Sequence, residues 1–206
     1  MRKNITPQTL QRLPMYLNYL KSLPKNSGNV NISATAIAEA LNLNDVQVRK
    51  DLASVSKGGK PKVGYVTEEL IGDIGQFLGF ENKTGVIIAG VGNLGRALLA
   101  FDGFGDYGLN ILAGFDENKD IAGTEINGKP VFSVSELKAF CKKENVKIGI
   151  ITVPESAAQE ICDIMVSSGI TAIMNFAPVH LIAPESVTIK NENMAISLAM
   201  LSRNFQ

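Results

Sequence analysis

GVIIAGVGNLGRALL, residues 85–99, runs from an apolar segment through Gly90, Gly92 and Gly95 into a segment of helical character. The spacing is G-x-G-x-x-G after a predicted strand and before a predicted helix, the context in which this fingerprint binds a dinucleotide. Gly90 is expected to make the tight turn, Gly92 to let the backbone approach a pyrophosphate, and Gly95 to let helix and strand pack closely. Asn93 and Leu94 place their N–H groups at the helix start, where anions bind. Val91 and Arg96 complete the loop. Asp116, at the end of NILAGFD, lies twenty-one residues beyond Gly95. An acid there accepts hydrogen bonds from an adenosine ribose and repels a 2′-phosphate, so the reading is NAD(H) over its phosphorylated form.

The surrounding chain alternates in the same way. Apolar strand segments are expected at 84–89, 109–115, 130–132, 147–152, 170–175 and 187–189, with helices near 93–102, 134–144 and 155–168. Alternation of this kind predicts a parallel sheet covered on both faces, with its ligand crevice beyond the strand C-termini. Two more loops fall at strand ends: TVPES, with Thr152, Val153 and Pro154, and NFAPV, with Asn175, Phe176, Ala177 and Pro178. Both are placed to face the nicotinamide half of a cofactor, Asn175 offering a hydrogen bond to the carboxamide and Phe176 a surface beside the ring. The plainer alternative is two ordinary strand-to-helix turns.

Upstream, the character changes. PQTLQRLPMYLNYLKSL, residues 7–23, sets Leu10, Leu13, Leu17 and Leu20 at helical spacing, with Thr6 as a cap and Pro14 as a bend or break. PKNSGNV, residues 24–30, reads as a loop. Ser33 caps a second helix, with Ile37, Ala38 and Leu41 on one face; after a break at 42–44, Asn44 or Asp45 caps a third, with Val46, Val48, Leu52 and Val55 as its apolar positions. Two short helices joined by a three-residue turn form the helix-turn-helix pattern. On the recognition helix Arg49 suits guanine, Gln47 adenine and Lys50 base edges or phosphate, while Ser54 and Lys57 are placed to reach the DNA backbone. SKGGKPKVGYV, residues 56–66, reads as a β-hairpin wing with Gly58 and Gly59 at its tip and Lys57, Lys60 and Lys62 along it. Thr67 is expected to cap a connecting helix over 67–83, whose apolar face could dock either half; the domain boundary falls near residue 80.

Charge separates the halves. Residues 1–65 hold ten Lys and Arg against three Asp and Glu; residues 66–206 hold ten against seventeen. A basic first half on a neutral chain suits a polyanionic partner, here double-stranded DNA. No apolar run approaches the ~20 residues of a membrane helix, and the first residues lack the apolar core of a signal peptide. The expected location is cytoplasmic. Cys141 and Cys162 have neither disulfide-framework nor metal spacing and are expected to be buried free thiols, with no metal site.

No catalytic residue is assigned. Hydride transfer needs a proton donor and acceptor beside the nicotinamide. The single histidine, His180, has no carboxylate placed to orient it, and little chain remains for a substrate domain. The tail after residue 190 is expected to form a helix with Met194, Leu198 and Leu201 on one face and Ile196 or Phe205 on another. Apolar residues around so much of a terminal helix point to a partner chain, the alternative being its own sheet. Together these features predict an α/β chain in three parts: 1–80, a winged-helix DNA-binding domain with its connecting helix; 81–190, a Rossmann-type parallel-sheet domain for NAD(H); and 191–206, a C-terminal dimerisation helix. A sensor fits this combination, because NAD⁺ and NADH differ in charge and ring planarity and can favour different domain arrangements. The competing reading is a small NAD-dependent oxidoreductase with a nucleic-acid-binding appendage.

The chain resembles the Rex redox-sensing transcriptional repressors along nearly its whole length. The matching stretches are RLPMYLNYL, VQVRKDLA, GKPKVGYVTEEL, GVGNLGRALL, GFDENKDIAGTEINGKPV, ITVPESAAQEICDIMVSSGI and IMNFAPVHL. The resemblance implies a homodimer with C-terminal helices exchanged between subunits and one NAD(H) per subunit. It implies binding to inverted-repeat operators of fermentative and redox-balance genes when NADH is scarce, and release as NADH rises. It carries cofactor roles to Gly90, Gly92, Gly95, Asp116 and the TVP and NFAP turns. Two positions depart from the family pattern: Phe101 stands where some members have a tyrosine near the nicotinamide, and Asn193 where some have an aspartate before the last helix.

Overall fold

The structure is a computed structural model that describes residues 5–24 and 31–202. The chain divides into two compact units, Met1–Glu81 and Asn82–Gln206. Part of the 24–30 loop, and Phe205 in the tail, lie outside the described residues.

The first unit is built on helices α1 (Pro7–Ser22), α2 (Ala34–Ala40), α3 (Asp45–Val55) and α4 (Thr67–Leu78). The caps explain three of the starts. The Thr6, Ser33 and Asn44 side chains accept from the N–H groups of Thr9, Ala36 and Gln47, each satisfying a donor that the first turn leaves unpaired. Pro14 does not break α1, which runs from Pro7 to Ser22 with the proline inside it. An interior proline costs about 3 kcal/mol. Leu13, Tyr16, Leu17 and Leu20, at most 2% exposed, gain about 1.5–3 kcal/mol each by burial, enough to hold the helix across the missing bond. They pack with Ile37, Val48, Leu52, Leu70 and Ile74 in one core. The connecting helix α4 therefore docks its apolar face on the first unit. Thr67 is its first helical residue and not its cap; Val66 holds the cap position, and Gly79 ends the helix in the left-handed conformation. Leu10 and Val46, expected on apolar faces, are exposed.

The wing differs from expectation in detail. Strand β1 (Asn31–Ile32) pairs antiparallel with β2 (Tyr65–Val66). The loop turns at Pro61–Lys62–Val63, closed by a Lys60–Gly64 bridge, and not at Gly58–Gly59. Lys62 and Gly64 take positive φ, +64° and +86°. A Cβ on Gly64 would collide with the Ile32 carbonyl oxygen, so the turn and the β1 contact together require glycine there.

The second unit is a seven-stranded sheet in the order β5 (Glu125–Ile126), β6 (Lys129–Ser133), β4 (Leu109–Asp116), β3 (Thr84–Ala89), β7 (Ile148–Ile151), β8 (Ala172–Asn175), β9 (Thr188–Asn191). All pairs are parallel except β5–β6, a short hairpin the sequence pattern did not reveal. Helices α5 (Asn93–Ala100), α6 (Leu137–Lys143) and α7 (Glu155–Ser167) connect the strands. The apolar side chains form two clusters, one around Phe115, Ile151 and Met165 and the other around Val86, Ile88 and Leu99. That division fits strands buried on both faces. Cys141 and Cys162 are free thiols in the first of these clusters, and burial pushes Cys141 up to about 11 and raises Cys162. Helix α8 (Met194–Ser202) closes the described chain.

Candidate functional site

The sheet order reverses at β3. The chain leaves β3 towards β4 on one side and returns to β7 on the other. Register then fixes a row: Ala89 is level with Phe115 and Ile151, and Ile151 with Asn175. The residues that follow, Gly90, Asp116, Thr152 and Phe176, stand together at the strand C-termini. This is the switch point at which open α/β sheets bind ligands.

The glycines have separate geometries. Gly90 has φ +93°, and a Cβ there would come within 2.7 Å of the Thr152 carbonyl carbon and the Val153 nitrogen. A Cβ on Gly95 would collide with the Gly90 carbonyl oxygen, whereas one on Gly92 meets nothing within 4 Å. Gly92 caps α5 without a side chain, so the first N–H groups of the helix carry no side-chain partner and face the open side of the loop. The Arg96 guanidinium donates back to the Val91 carbonyl at 3.1 Å and ties the loop to the helix.

Asp116 accepts from the Val91 N–H at 2.7 Å and the Asn118 N–H at 2.9 Å. A carboxylate offers about four lone-pair sites, so acceptor capacity remains for hydroxyls. Thr152 donates its hydroxyl to the Gly90 carbonyl at 2.6 Å and braces the glycine loop against β7. Asn175 is fully buried and committed to its own turn. Its amide nitrogen donates to the carbonyls of Ala177 and Val179 and to the Asn191 side chain, and its oxygen accepts from the Ala177 N–H. Fully buried, with its amide hydrogens spent on these acceptors, Asn175 shapes the NFAP turn and does not present its amide to the crevice. Within that turn Phe176 is half-buried, Ala177 buried and Pro178 exposed. Val153 is half-buried, and Pro154 holds the cap position of α7. Phe101 is 55% exposed, edge-on to Phe104 at 5.2 Å. His180 is exposed.

On the first unit, Gln47, Arg49, Lys50, Lys57, Lys60 and Lys62 are exposed and Ser54 is half-buried. Gln47, Lys50 and Ser54 share one face of α3 by helical spacing, and line a groove of about 460 Å³ against the start of α1. Ser54 donates its hydroxyl to the Asp51 carbonyl. Arg49 pairs with Asp45 at 3.2 Å, both side chains exposed, a contact worth about 0.3–0.5 kcal/mol and readily exchanged for another acceptor.

A cluster absent from the sequence reading anchors this helix. Asp51, 5% exposed, accepts from Arg12 Nε at 2.8 Å and Nη2 at 3.0 Å, from the Tyr16 hydroxyl at 2.8 Å and from the Thr9 hydroxyl at 2.9 Å. Burial alone would raise the Asp51 carboxyl; the bonds from Arg12, Tyr16 and Thr9 outweigh it and hold the group below its ordinary value. Burial and the bond to the carboxylate push Tyr16 up to about 12. No periodic signal links positions 39 residues apart; only the run of polar groups on an otherwise apolar α1 face hints at it.

Among the described residues no group of His, Cys, Asp or Glu is arranged to hold a metal, and no helix is long and apolar enough to cross a membrane. Met194, Ile196, Leu198, Met200 and Leu201 on α8 are each more than half exposed.

Comparison with known proteins agrees with this division. Residues 4–53 match the family model described as putative DNA-binding protein N-terminus, and residues 81–179 match the CoA binding domain model. The redox-sensing transcriptional repressor Rex of Porphyromonas gingivalis is 43% identical over 94% of this chain and 88% of its own. RSP, a Rex-family repressor solved with β-NAD⁺ and operator DNA, matches with a TM-score of 0.90 at 32% identity, over 98% of this chain and 92% of its own. The same protein solved with β-NADH matches with a TM-score of 0.85, over 98% and 95%. With its dinucleotide-type crevice, its basic winged helix and relatives this similar over nearly the full length, the chain belongs to the Rex family of redox-sensing transcriptional repressors.

Proposed function

We propose that this chain is an NADH-responsive repressor: it holds operator DNA when NADH is scarce and releases it when NADH fills the crevice of the second unit. The observation that carries the reading is the row Gly90, Asp116, Thr152 and Phe176 at the switch point, on the same chain as a cationic winged helix. In this reading the pyrophosphate lies over Gly92 and the start of α5, Asp116 holds the adenosine ribose, and the TVP and NFAP turns and Phe101 flank the nicotinamide. Val91, Asn93, Leu94, Gly95 and Arg96 supply backbone and packing. Gln47, Arg49, Lys50, Ser54, Lys57, Lys60 and Lys62 face DNA. A Rex-family relative solved with operator DNA and with each form of the nucleotide supports the pairing of ligands.

The role is regulation rather than turnover, in the cytoplasm. Its support is that Thr152 and Asn175, polar side chains at the strand ends, are spent on the loops themselves. Three parts, with boundaries near residues 80 and 190, serve DNA, nucleotide and partner. The apolar surface of α8 fits a second copy of this chain, with the helices exchanged between subunits. A titration at fixed salt with NADH, NAD⁺ or neither tests the proposal. NADH is expected to weaken operator binding by about 5–150-fold, the usual range of such couplings; equal affinity in all three conditions overturns it. Steady oxidation of NADH with a small carbonyl would favour an oxidoreductase.

A further inference from the structure

The Arg12 guanidinium carries two forks. One closes on Asp51, Nε to Oδ2 at 2.8 Å and Nη2 to Oδ1 at 3.0 Å. The other meets Gln47: with the amide oxygen turned inward, Oε1 accepts from Nη1 at 3.1 Å and from Nη2 at 3.2 Å. The reverse orientation sets the amide NH₂ against two donors with no acceptor between them. An amide oxygen has two lone pairs, and both are used here. Arg12 has no freedom to leave. Asp51 is buried and holds it from the other side, with Thr9 and Tyr16 fixing the carboxylate in turn.

This arrangement limits what Gln47 can read. Bidentate recognition of adenine needs the amide oxygen to accept from N6 while the nitrogen donates to N7. A Gln47 whose oxygen belongs to Arg12 presents donors only. Guanine shows two adjacent acceptors, N7 and O6, in the major groove; adenine sets its N6 donor beside N7. We infer that Arg12 is a positioning residue for base readout, holding the Gln47 oxygen inward so that Gln47 favours guanine over adenine at the base pair it faces. The inference rests on the DNA-binding reading above and replaces the sequence-level assignment of Gln47 to adenine.

The test uses the full chain and duplexes selected from a random-sequence library without nucleotide. Affinities for single-base variants of the selected site are then measured for wild type, Gln47→Ala and Arg12→Lys. Gln47→Ala locates the position, as the one where base preference disappears. Wild type is expected to prefer guanine to adenine there by about fivefold or more, the low end of a base contact. Lysine keeps a cation beside Asp51 but cannot fork the amide. Arg12→Lys is therefore expected to bring the guanine-to-adenine ratio to one or below at that position and to leave the other positions unchanged. A uniform loss at every position would make Arg12 merely structural and overturn the inference. So would a wild-type preference for adenine there, or a Gln47→Ala profile identical to wild type. Failure of wild type to enrich any sequence would overturn the DNA-binding reading and the inference with it.

Discussion

Replacing Asp51 by alanine removes the acceptor for four hydrogen bonds at once. Arg12, whose side chain is 17% exposed, is left without its counter-charge, and the Tyr16 hydroxyl stays buried without a partner. Breaking a buried pair by deleting one member costs about 3–5 kcal/mol, mostly from the charge left behind. At a slope of about 1–2 kcal/mol per M of urea, the unfolding midpoint of the first unit falls by about 1.5–5 M. Circular dichroism and tyrosine fluorescence report the transition, since Tyr16, Tyr19 and Tyr65 all lie in that unit. The partner-matched control is Arg12→Met in the Asp51→Ala background. If the coupling is as the geometry states, the second substitution recovers part of the loss, because it removes the stranded cation. A shift below about 1 kcal/mol, the worth of one exposed ion pair, would refute the reasoning: Asp51 would then not hold α3 to α1 in solution.

Asp116→Ala should weaken NADH binding far more than operator binding, measured by nucleotide fluorescence and DNA anisotropy; unchanged NADH affinity removes Asp116 from the site. Arg49→Ala should cost about 1–3 kcal/mol on the operator if the side chain reads a base, and an equal loss on random duplex would make it a phosphate contact. Tyr16 titrates late, near pH 12. A group whose pKa rises on folding contributes stability that is whole below its unfolded value and lost as pH climbs through the folded one, so the first unit should weaken between about pH 10 and 12. Absorbance at alkaline pH checks this, and a Tyr16→Phe variant whose loss over that window matched wild type would contradict it.

The glycine fingerprint was legible because each glycine acts on neighbours close in sequence or on the next strand of a regular sheet. Asp116 was legible for the same reason: parallel register carries it level with Gly90. Gly92 and the start of α5 needed only the motif. The helix-turn-helix was readable from caps, since Ser33 and Asn44 bond within their own first turns. The wing tip was not. Gly58–Gly59 and Pro61–Lys62 are both turn signals, and the choice between them is made by Gly64 lying against Ile32, a contact between strands. Asn175 was placed at the right loop, but its partners are carbonyls of its own turn and a side chain on β9. A sequence shows that amide without showing that it is already satisfied. Arg12 carried no more signal than the polar run on α1, because its value depends on Asp51 and Gln47 arriving from another helix.

The central claim is thermodynamic coupling within one chain, and coupling between two ligands is reciprocal. The most direct measurement is the NADH dissociation constant of the purified protein, free and saturated with operator duplex, beside the operator dissociation constant with and without saturating NADH. The account predicts that operator weakens NADH by the same factor by which NADH weakens operator, and that NAD⁺ does not share that factor. An NADH affinity indifferent to bound operator, measured on protein that binds both, would contradict it.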